Sequence, residues 1–293
     1  MPHISRRHFL KTSAMVGAIA GLDGKPLFAE RASATDWVTL GKSGVKVTRL
    51  AFGTGSHNGE IQQRLGQEEF TRQVHYAYER GIRFFETSES YSTPAMLGAA
   101  LKGLPRDSYR LMSKVTTDDR PDPMKKLDEM RKNSDTEYFD IMLLHWQHTG
   151  TWVKDSERWQ DAVLEAQSRQ NIVTHGASVH GLPALRQVPE FKWLDVSMIR
   201  VNHKGTKMDN ETDDWNVPGD VHEVVTHVRQ ARAAGQGIIS MKLIGEGAFT
   251  DRTDRQQAMR FAFRNAGVDC VTVGYKSTAE IDEAIDNLNL ALA

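Results

Sequence analysis

Titratable side chains follow a series of short apolar runs along this chain. They include carboxylates, a phenol, ammonium groups and imidazoles, which are the groups that donate or accept protons at reacting atoms. These residues are Glu86, Glu89, Tyr91, Lys114, His145, His148, His180, His203, Lys242 and Lys276. If the fold gathers them at one place, they can serve acid–base chemistry on a small molecule.

The apolar runs themselves predict eight β-strands. They begin near residues 47, 82, 110, 139, 172, 195, 237 and 269. Runs this apolar and uninterrupted are typical of parallel strands buried on both faces. The segments between them repeat apolar residues with a helical period, and three of these segments end before Gly81, Gly235 and Gly267. Strands that alternate with helices indicate right-handed βαβ units.

Eight such units predict an α/β fold, a (β/α)8 TIM barrel with an N-terminal β-hairpin. Residues 37–40 and 45–47 flank a glycine-containing turn and predict the hairpin. No low-complexity linker interrupts residues 35–293, so we expect one barrel domain there. In such a barrel the active site lies at the carboxyl ends of the strands, which is where the titratable residues fall. The irregular stretch 203–219 is long enough to indicate a functional or mobile loop.

The first 34 residues have the features of an export signal. An Arg-Arg pair lies in the run SRRHFLK, an apolar stretch covers residues 14–22, and residues 32–34 read Ala-Ser-Ala, an A-x-A cleavage site. We therefore expect residues 1–34 to be a twin-arginine signal peptide, the export machinery to be a partner, and the protein to be periplasmic or exported. The apolar stretch is too short for a stable membrane anchor.

Composition excludes several other classes of protein. Of 293 residues, 39% are hydrophobic. The chain has 37 basic and 38 acidic side chains, which gives a net charge of -1. These values argue against a multi-span membrane protein and against a collagen-like chain. No block of basic residues indicates a nucleic-acid partner. The lone Cys270 excludes an intramolecular disulfide and a Cys-rich metal site.

Seven motifs together resemble the aldo-keto reductase family. In chain order they are VTRLAFGTG, GIRFFETSESY, LMSKV, YFDIMLLHW, GASVHG, GIISMKLIGEG and VGYKSTAEIDEAI. They cover most of residues 35–293. The resemblance implies a (β/α)8 barrel closed at its bottom by the hairpin. It also implies an oxidoreductase that transfers hydride between NADP(H) and a carbonyl or alcohol on a small-molecule substrate.

The resemblance assigns catalysis to four residues. Tyr91 matches the tyrosine that protonates the carbonyl oxygen, Lys114 the lysine beside it, and His145 the histidine that orients the substrate. Glu86 falls where the family has an aspartate that pairs with the lysine. A phenol near pKa 10 is a poor acid–base group at neutral pH. Because a nearby ammonium favours the phenolate, we expect Lys114 to lower the pKa of Tyr91.

The resemblance also assigns residues that bind NADP. The loop at 242–247 resembles the one around the pyrophosphate, Lys276-Ser277 resembles the pair at the 2′-phosphate, and Glu280 falls where such motifs contact the adenine. The cofactor-binding residues implied are Gly55, Ser178, Lys242, Gly245, Gly247, Lys276, Ser277 and Glu280. No metal site is assigned.

Some family contacts to the nicotinamide are missing, which leaves two alternatives open. Val179, Met198 and Val201 stand where the family has asparagine, glutamine and tyrosine. One alternative is a cofactor-independent lyase, isomerase or hydrolase that acts on a sugar or polyol. The other is a non-catalytic binding protein, for which the acidic stretch 209–214 offers a surface. Loops 56–66, 116–124 and 203–219 are the expected source of substrate contacts, together with Trp146, Trp152 and Trp215.

Overall fold

A closed barrel of eight parallel strands is the centre of the structure, a computed structural model that describes residues 31–212 and 214–293. The strands are β3 (Leu50–Gly53), β4 (Phe84–Glu86), β5 (Arg110–Thr116), β6 (Phe139–Gln147), β7 (Ile172–Val179), β8 (Val196–Arg200), β9 (Gly237–Met241) and β10 (Cys270–Gly274). Each strand pairs with the next, and β10 pairs with β3 to close the barrel. The predicted (β/α)8 barrel is confirmed. Of the predicted signal peptide, residues 1–34, the first 30 lie outside the described residues.

Helices lie between the strands. They are α1 (Glu60–Gln63), α2 (Gly66–Glu79), α3 (Pro94–Leu101), α4 (Pro123–Asn133), α5 (Trp152–Asp155), α6 (Glu157–Ser168), α7 (Leu182–Leu185), α8 (Val221–Ala233), α9 (Arg252–Arg260) and α10 (Thr278–Leu292). A π-helical turn, Phe261–Ala266, continues α9. The sequence pattern indicates α2, α3, α6, α8 and α9 but indicates neither α4 nor α10. Only Pro123, Leu127 and Met130 of α4 are buried, so its apolar face is narrow.

The N-terminal hairpin closes one end of the barrel. Its strands β1 (Trp37–Thr39) and β2 (Lys46–Thr48) pair antiparallel, as the sequence predicts. Leu40 and Val47 are fully buried and pack with the side chains that fill the barrel interior. A Cβ atom on Gly237 would lie 2.5 Å from Cβ of Leu40, so only glycine allows this approach. The hairpin therefore seals the end opposite the carboxyl ends of the strands.

The barrel interior is closely filled below the rim. Inward-facing residues of seven barrel strands, among them Phe84, Met112 and Leu143, form one buried cluster. Cys270 is fully buried in the same cluster, and burial raises the pKa of its thiol well above the ordinary value. A buried thiol with a raised pKa is unreactive, so Cys270 has a packing role.

The long loop at 203–219 is tied to the barrel by a buried ion pair. Arg200 at the end of β8 donates from Nη2 to Oδ1 of Asp209 over 2.5 Å, and both side chains are nearly inaccessible. The backbone N–H of Gly181 donates to the same oxygen over 2.6 Å. On the surface, Glu211 pairs with Arg186. Two of the acidic side chains proposed as a partner surface therefore form ion pairs within the chain.

In residues 31–212 and 214–293, no helix combines the length and the apolar composition that a membrane span requires.

Candidate active site

The four predicted catalytic residues meet at the carboxyl end of the barrel. Glu86 is the last residue of β4, and Lys114 and His145 lie near the ends of β5 and β6. Tyr91 follows β4 in the loop that leads to α3. Parallel strands bring their carboxyl ends to the same rim, which is why residues distant in sequence become neighbours here.

Glu86 and Lys114 form a buried ion pair. Oε1 of Glu86 accepts a hydrogen bond from Nζ of Lys114, and both side chains are almost completely buried. Nζ also donates to the carbonyl oxygen of Thr87 over 2.8 Å, and the hydroxyl of Thr272 donates to Oε2 of Glu86 over 3.3 Å. Burial lowers the pKa of Lys114, and the charge of Glu86 opposes this effect. The extra methylene of Glu86, relative to the family's aspartate, does not prevent the pair.

Tyr91 packs between this ion pair and His145. Nζ of Lys114 lies 4.6 Å from the centroid of the Tyr91 ring, and the Tyr91 and His145 rings are nearly perpendicular at a centroid distance of 5.9 Å. A Cβ atom on Gly55 would lie 2.4 Å from the phenol ring, so a side chain at this position would displace the tyrosine. Glycine at 55 is required by the placement of Tyr91.

The expected lowering of the Tyr91 pKa is wrong for this structure. Burial raises the pKa of the Tyr91 phenol well above 10.0, and the carboxylates of Glu86 and Glu246 add to the increase. The positive charge of Lys114 is largely balanced by Glu86, since the two are in direct contact. Tyr91 is therefore a neutral phenol at neutral pH and is ready to donate a proton.

His145 is held as a neutral imidazole. Its Nδ1 lies 3.0 Å from the hydroxyl of Ser88 and 3.3 Å from that of Ser90. Burial lowers the pKa of His145 well below the usual value, and the charges of Lys114 and Lys242 lower it further. The two serines fix the ring orientation. They were not singled out in the sequence, although both belong to the motif that carries Tyr91.

A second histidine lies on the far side of His145. The rings of His145 and His180 are 6.0 Å apart in an edge-to-face arrangement. Burial lowers the pKa of His180 well below its usual value, as do Arg200, His145 and Lys242. Both imidazoles are therefore uncharged at neutral pH, and each can donate and accept a hydrogen bond.

Two of the three tryptophans expected near the pocket lie at the rim. Trp146 has a positive φ of 56° where the pairing of β6 with β7 is interrupted, and it is 57% exposed beside His145. The centroid of Trp215, in loop 203–219, lies 5.2 Å from Nζ of Lys242. Trp152 does not reach the rim. It is 2% exposed, and its indole N–H donates to the carbonyl oxygen of Ala184.

A cavity of about 570 Å³ extends from Tyr91 and Glu86 toward α10. Of the predicted cofactor-binding residues, those in its wall are Gly55, Lys242, Gly247, Lys276 and Glu280. The other three predicted residues do not line the cavity. Ser178 is fully buried with Oγ 3.9 Å from the sulfur of Met241, Gly245 starts a short 3₁₀ turn, and Ser277 accepts from the N–H of Glu280 to cap α10.

The wall formed by β8 and β9 is apolar. Met198 and Met241 face the cavity, and both are largely buried. Val201 is fully buried. Of the three substitutions noted in the sequence, Met198 therefore changes the cavity wall, where it presents a thioether in place of an amide.

The loop after β9 carries an ion pair of its own. Nζ of Lys242 lies 2.6 Å from Oε1 of Glu246, and the Glu246 side chain is 7% exposed. Glu246 has a left-handed backbone with φ 55°, and Gly247 follows with φ 92°. The loop thus bends sharply over the cavity, with one cation and one anion in its wall.

The distal end of the cavity contains unsatisfied polar atoms. The hydroxyl of Tyr275 and Oδ1 of Asn287 are buried and have no hydrogen-bond partner among the described residues, and both residues line the cavity. Arg255 lines it too, with Nε 2.6 Å from Oε1 of Glu283. Buried polar atoms without partners are rare and costly, so a ligand that supplies those partners would bind well here.

Within the described residues, no group of three His, Cys, Asp or Glu side chains is arranged to hold a metal ion.

Comparison with protein families assigns both parts of the chain. Residues 49–260 match the aldo/keto reductase family, and residues 3–22 match the signal sequence of the twin-arginine translocation pathway. Probable aldo-keto reductase 1 of Glycine max is 29% identical over 137 residues, which are 41% of this chain and 38% of that protein. Methylglyoxal reductase DkgB of Salmonella typhimurium is 28% identical over 145 residues, 48% of this chain and 52% of that protein. The matched region spans about half or less of these curated relatives.

Solved structures share the fold over nearly their whole length. A putative aldo-keto reductase from Pseudomonas aeruginosa has a TM-score of 0.71 at 17% identity, and the match covers 90% of this chain and 98% of that one. An aldo-keto reductase from Klebsiella pneumoniae in complex with NADPH has a TM-score of 0.64 at 16% identity, with 89% and 90% covered. At these identities the likeness shows the barrel architecture.

Proposed function

Because the chain belongs to the aldo/keto reductase family, we propose that it is an exported oxidoreductase that transfers hydride between NADP(H) and a carbonyl or alcohol substrate. Tyr91 is the proton donor and acceptor. The observation that carries the proposal is the arrangement of Tyr91, whose phenol lies against both the buried Glu86–Lys114 pair and the neutral His145. The export signal supports the location of this enzyme outside the cytoplasm.

The cavity fits an extended dinucleotide. It starts at Tyr91, passes the loop with Lys242 and ends at Lys276 and α10. Lys242 and Lys276 supply positive charge for phosphate groups, and the close turn at Gly247 brings backbone toward them. The unpaired oxygens of Tyr275 and Asn287 can satisfy the polar edge of a base. When bound, NADPH supplies a hydride to the carbonyl carbon.

The residues around Tyr91 control the transfer of its phenolic proton. Since burial keeps the phenol of Tyr91 protonated, it can donate to the carbonyl oxygen as negative charge develops there. The ammonium of Lys114, 4.6 Å from the ring centroid, stabilises the phenolate that remains. Glu86 keeps that ammonium charged and fixed. In the alcohol-oxidising direction the same tyrosine accepts the proton.

His145 orients the substrate. Its Nδ1 lies within hydrogen-bond distance of the Ser88 and Ser90 hydroxyls, and its ring is nearly perpendicular to the Tyr91 ring. A neutral imidazole held this way can hydrogen-bond to the carbonyl oxygen without competing for the proton of Tyr91. His180, adjacent to His145, extends the polar surface toward the substrate.

Export in the folded state accounts for how the enzyme obtains its cofactor. The twin-arginine pathway carries folded proteins, so the barrel can bind NADP in the cytoplasm before it crosses the membrane. Retention of the nucleotide is supported by the distal cavity, where the Tyr275 and Asn287 oxygens have no hydrogen-bond partner among the described residues. Lys276 at this end favours NADP over NAD.

The test is performed on protein purified from the exported fraction. Nucleotide released on denaturation is identified by chromatography, and NADPH is titrated by fluorescence. Turnover is measured with methylglyoxal, chosen because relatives of this chain are named methylglyoxal reductases. We expect bound NADP(H), a dissociation constant below the millimolar range and turnover that requires Tyr91. Absence of both bound nucleotide and NADPH binding would refute the proposal.

The apolar wall at Met198 and Met241 favours one second candidate, a barrel enzyme that acts on a sugar or polyol without the nicotinamide. This candidate retains Tyr91 as an acid–base group. It predicts lyase, isomerase or hydrolase turnover by nucleotide-free protein that added NADPH does not change. The nucleotide-stripped enzyme, assayed with and without NADPH, separates the two candidates.

A further inference from the structure

The positive charges in the cavity wall are already neutralised by the protein itself. Among the described residues that line the cavity, each Lys or Arg side chain forms an ion pair with a carboxylate of the same wall. The pairs are Lys242–Glu246, Arg255–Glu283 and Lys276–Glu280. A phosphate group that binds one of these cations therefore has to compete with the carboxylate already beside it, because two anions at such distances repel each other.

Two of the three carboxylates are held by more than a single bond. Glu283 accepts from Arg255 with both of its oxygens, over 2.6 and 3.0 Å, and also accepts from Nδ2 of Asn287 over 3.3 Å. Glu280 accepts from the backbone N–H of Lys276 over 2.7 Å. Both carboxylates also lie on the regular helix α10, so a ligand would have to break several contacts to displace either of them.

Glu246 is held less firmly and in a strained conformation. Among the described residues, its side chain makes one hydrogen bond, with Nζ of Lys242. The backbone of Glu246 has φ 55° and ψ 40°, and that of Lys242 has φ 53°, so both partners of the pair lie in the left-handed region. This conformation costs free energy in a residue with a Cβ atom and persists only where the surrounding contacts impose it. Glu246 is therefore the carboxylate that a ligand displaces most easily.

The loop that carries Glu246 can move at its tip. Gly247 has φ 92°, and a Cβ atom at this position would meet nothing within 4 Å, so there is free space beside the tip. Leu243 is 1% exposed and Phe249 is 4% exposed, which fixes the two ends of the loop in the core. The tip can thus turn while the rest of the loop stays in place.

We propose that Glu246 is an autoinhibitory carboxylate that occupies Lys242 until a phosphate group of the dinucleotide takes its place. This inference rests on the proposed function, since it needs a ligand with phosphate groups in the cavity. The hydrogen bond from Nζ of Lys242 to Glu246 is exchanged for one to a phosphate oxygen, with no covalent change, and the Glu246 side chain turns away. Glu246 therefore lowers the affinity for the dinucleotide and excludes uncharged ligands from Lys242.

The test compares NADPH affinities by fluorescence titration of purified protein stripped of bound nucleotide. Glu246→Gln removes the competing charge at almost constant volume. We expect its dissociation constant for NADPH to be about 10-fold lower than that of the parent, because a charge-assisted hydrogen bond no longer has to be given up. Glu165→Gln is the matched control, since it removes the same charge from an ion pair with Arg169 on α6, outside the cavity wall, and should leave the affinity unchanged.

Glu246→Gly is a second variant in case the first does not fold. Glycine adopts a positive φ without strain, so this variant should also be folded and should also bind NADPH more tightly than the parent. Melting curves of all variants show whether the barrel is intact.

A double variant shows whether Glu246 acts through Lys242. In a Lys242→Met background there is no cation for the carboxylate to occupy, so the further change Glu246→Gln should alter the NADPH affinity by less than about twofold. Tightening as large as in the parent background would overturn the proposal, because the carboxylate would then act by direct repulsion of the ligand.

The titrations also separate this inference from the proposed function. If the parent binds NADPH and both Glu246 variants bind it equally or more weakly, the autoinhibitory role is overturned and the proposed function stands. If neither the parent nor the Glu246 variants bind NADPH, the proposed function is refuted and this inference falls with it.

Discussion

The two sides of the active site differ in polarity and in hydrogen bonding. The side formed by β4, β5 and β6 is polar and internally satisfied, since Glu86 and Lys114 are paired and His145 is held by two serines. The side formed by β8 and β9 presents Met198 and Met241 to the cavity. We call them the proton side and the thioether side.

Under the proposed function, the two sides have different tasks. A group that transfers protons needs a fixed position and a controlled charge, which a closed hydrogen-bond network provides. A flat heteroaromatic ring can be held by apolar contact and shape alone, and methionine adapts to such a ring. Loss of family polar residues on the thioether side is therefore compatible with an intact proton side.

The largest effect is expected on the proton side from Tyr91→Phe. The variant removes the proton donor, so kcat for carbonyl reduction should fall by about 10²–10⁴-fold, the usual contribution of general acid catalysis. NADPH affinity, measured by fluorescence titration, should change little. A variant that keeps its activity would show that Tyr91 is not the acid.

Breaking the buried pair should affect stability next. Glu86→Gln leaves the Lys114 charge buried without a counter-charge, and loss of one partner of such a pair costs about 3–5 kcal/mol of unfolding free energy. Glu86→Asp retains the charge and is the matched control, with a smaller loss. Chemical denaturation with both variants checks this. Equal stability of the Gln variant and the parent would contradict the buried pair.

The pH dependence tests the raised pKa of Tyr91. Because the pKa lies above 10.0, the phenolate that accepts a proton in alcohol oxidation is a minor form between pH 7 and 9. Its fraction, and kcat/KM for oxidation with it, should rise about tenfold per pH unit in this range. Reduction uses the neutral phenol and neutral His145, so it should remain flat. A plateau of the oxidation rate below pH 9 would show that Lys114 lowers the pKa after all.

The smallest effect is expected on the thioether side from Met198→Gln. The amide can hydrogen-bond to a bound nicotinamide, which is worth about 0.5–1.5 kcal/mol or a roughly 2–10-fold tighter NADPH complex. Met198 is 2% exposed, so the free variant should melt at a lower temperature because its amide lacks a partner. Met198→Leu is the volume-matched control. If Met198→Gln binds NADPH no more tightly, the ring does not contact this wall.

Much of the fold could be predicted from the sequence, because the patterns that indicate it lie within short segments of the chain. Eight apolar runs predicted eight barrel strands, because parallel strands are covered on both faces. The first run was the exception, since its residues divide between the hairpin strand Lys46–Thr48 and the barrel strand Leu50–Gly53. Helix α4 was missed because its buried face is narrow. The positions of Glu86, Tyr91, Lys114 and His145 at strand ends were sufficient to gather them.

The interior of the site was less predictable. Ser178 and Ser277 matched family positions, yet the structure turns one toward Met241 and uses the other as a helix cap. Asn287 and Tyr275 reach the distal cavity from α10 and the end of β10, and nothing in the local pattern distinguished them from ordinary core residues. Which side of a barrel or helix faces a cavity depends on packing between elements far apart in sequence.

The amino-acid sequence by itself determined the barrel, its hairpin, the export signal and the residue types at the rim, because apolar periodicity and short motifs are properties of neighbouring residues. The tertiary structure decided the charge state of Tyr91, the pairing that neutralises Lys114, and the pairing of Arg255 with Glu283 in the cavity wall. These depend on burial and on distances through space. Burial removes water from a charge, and only the folded chain fixes which partner replaces it.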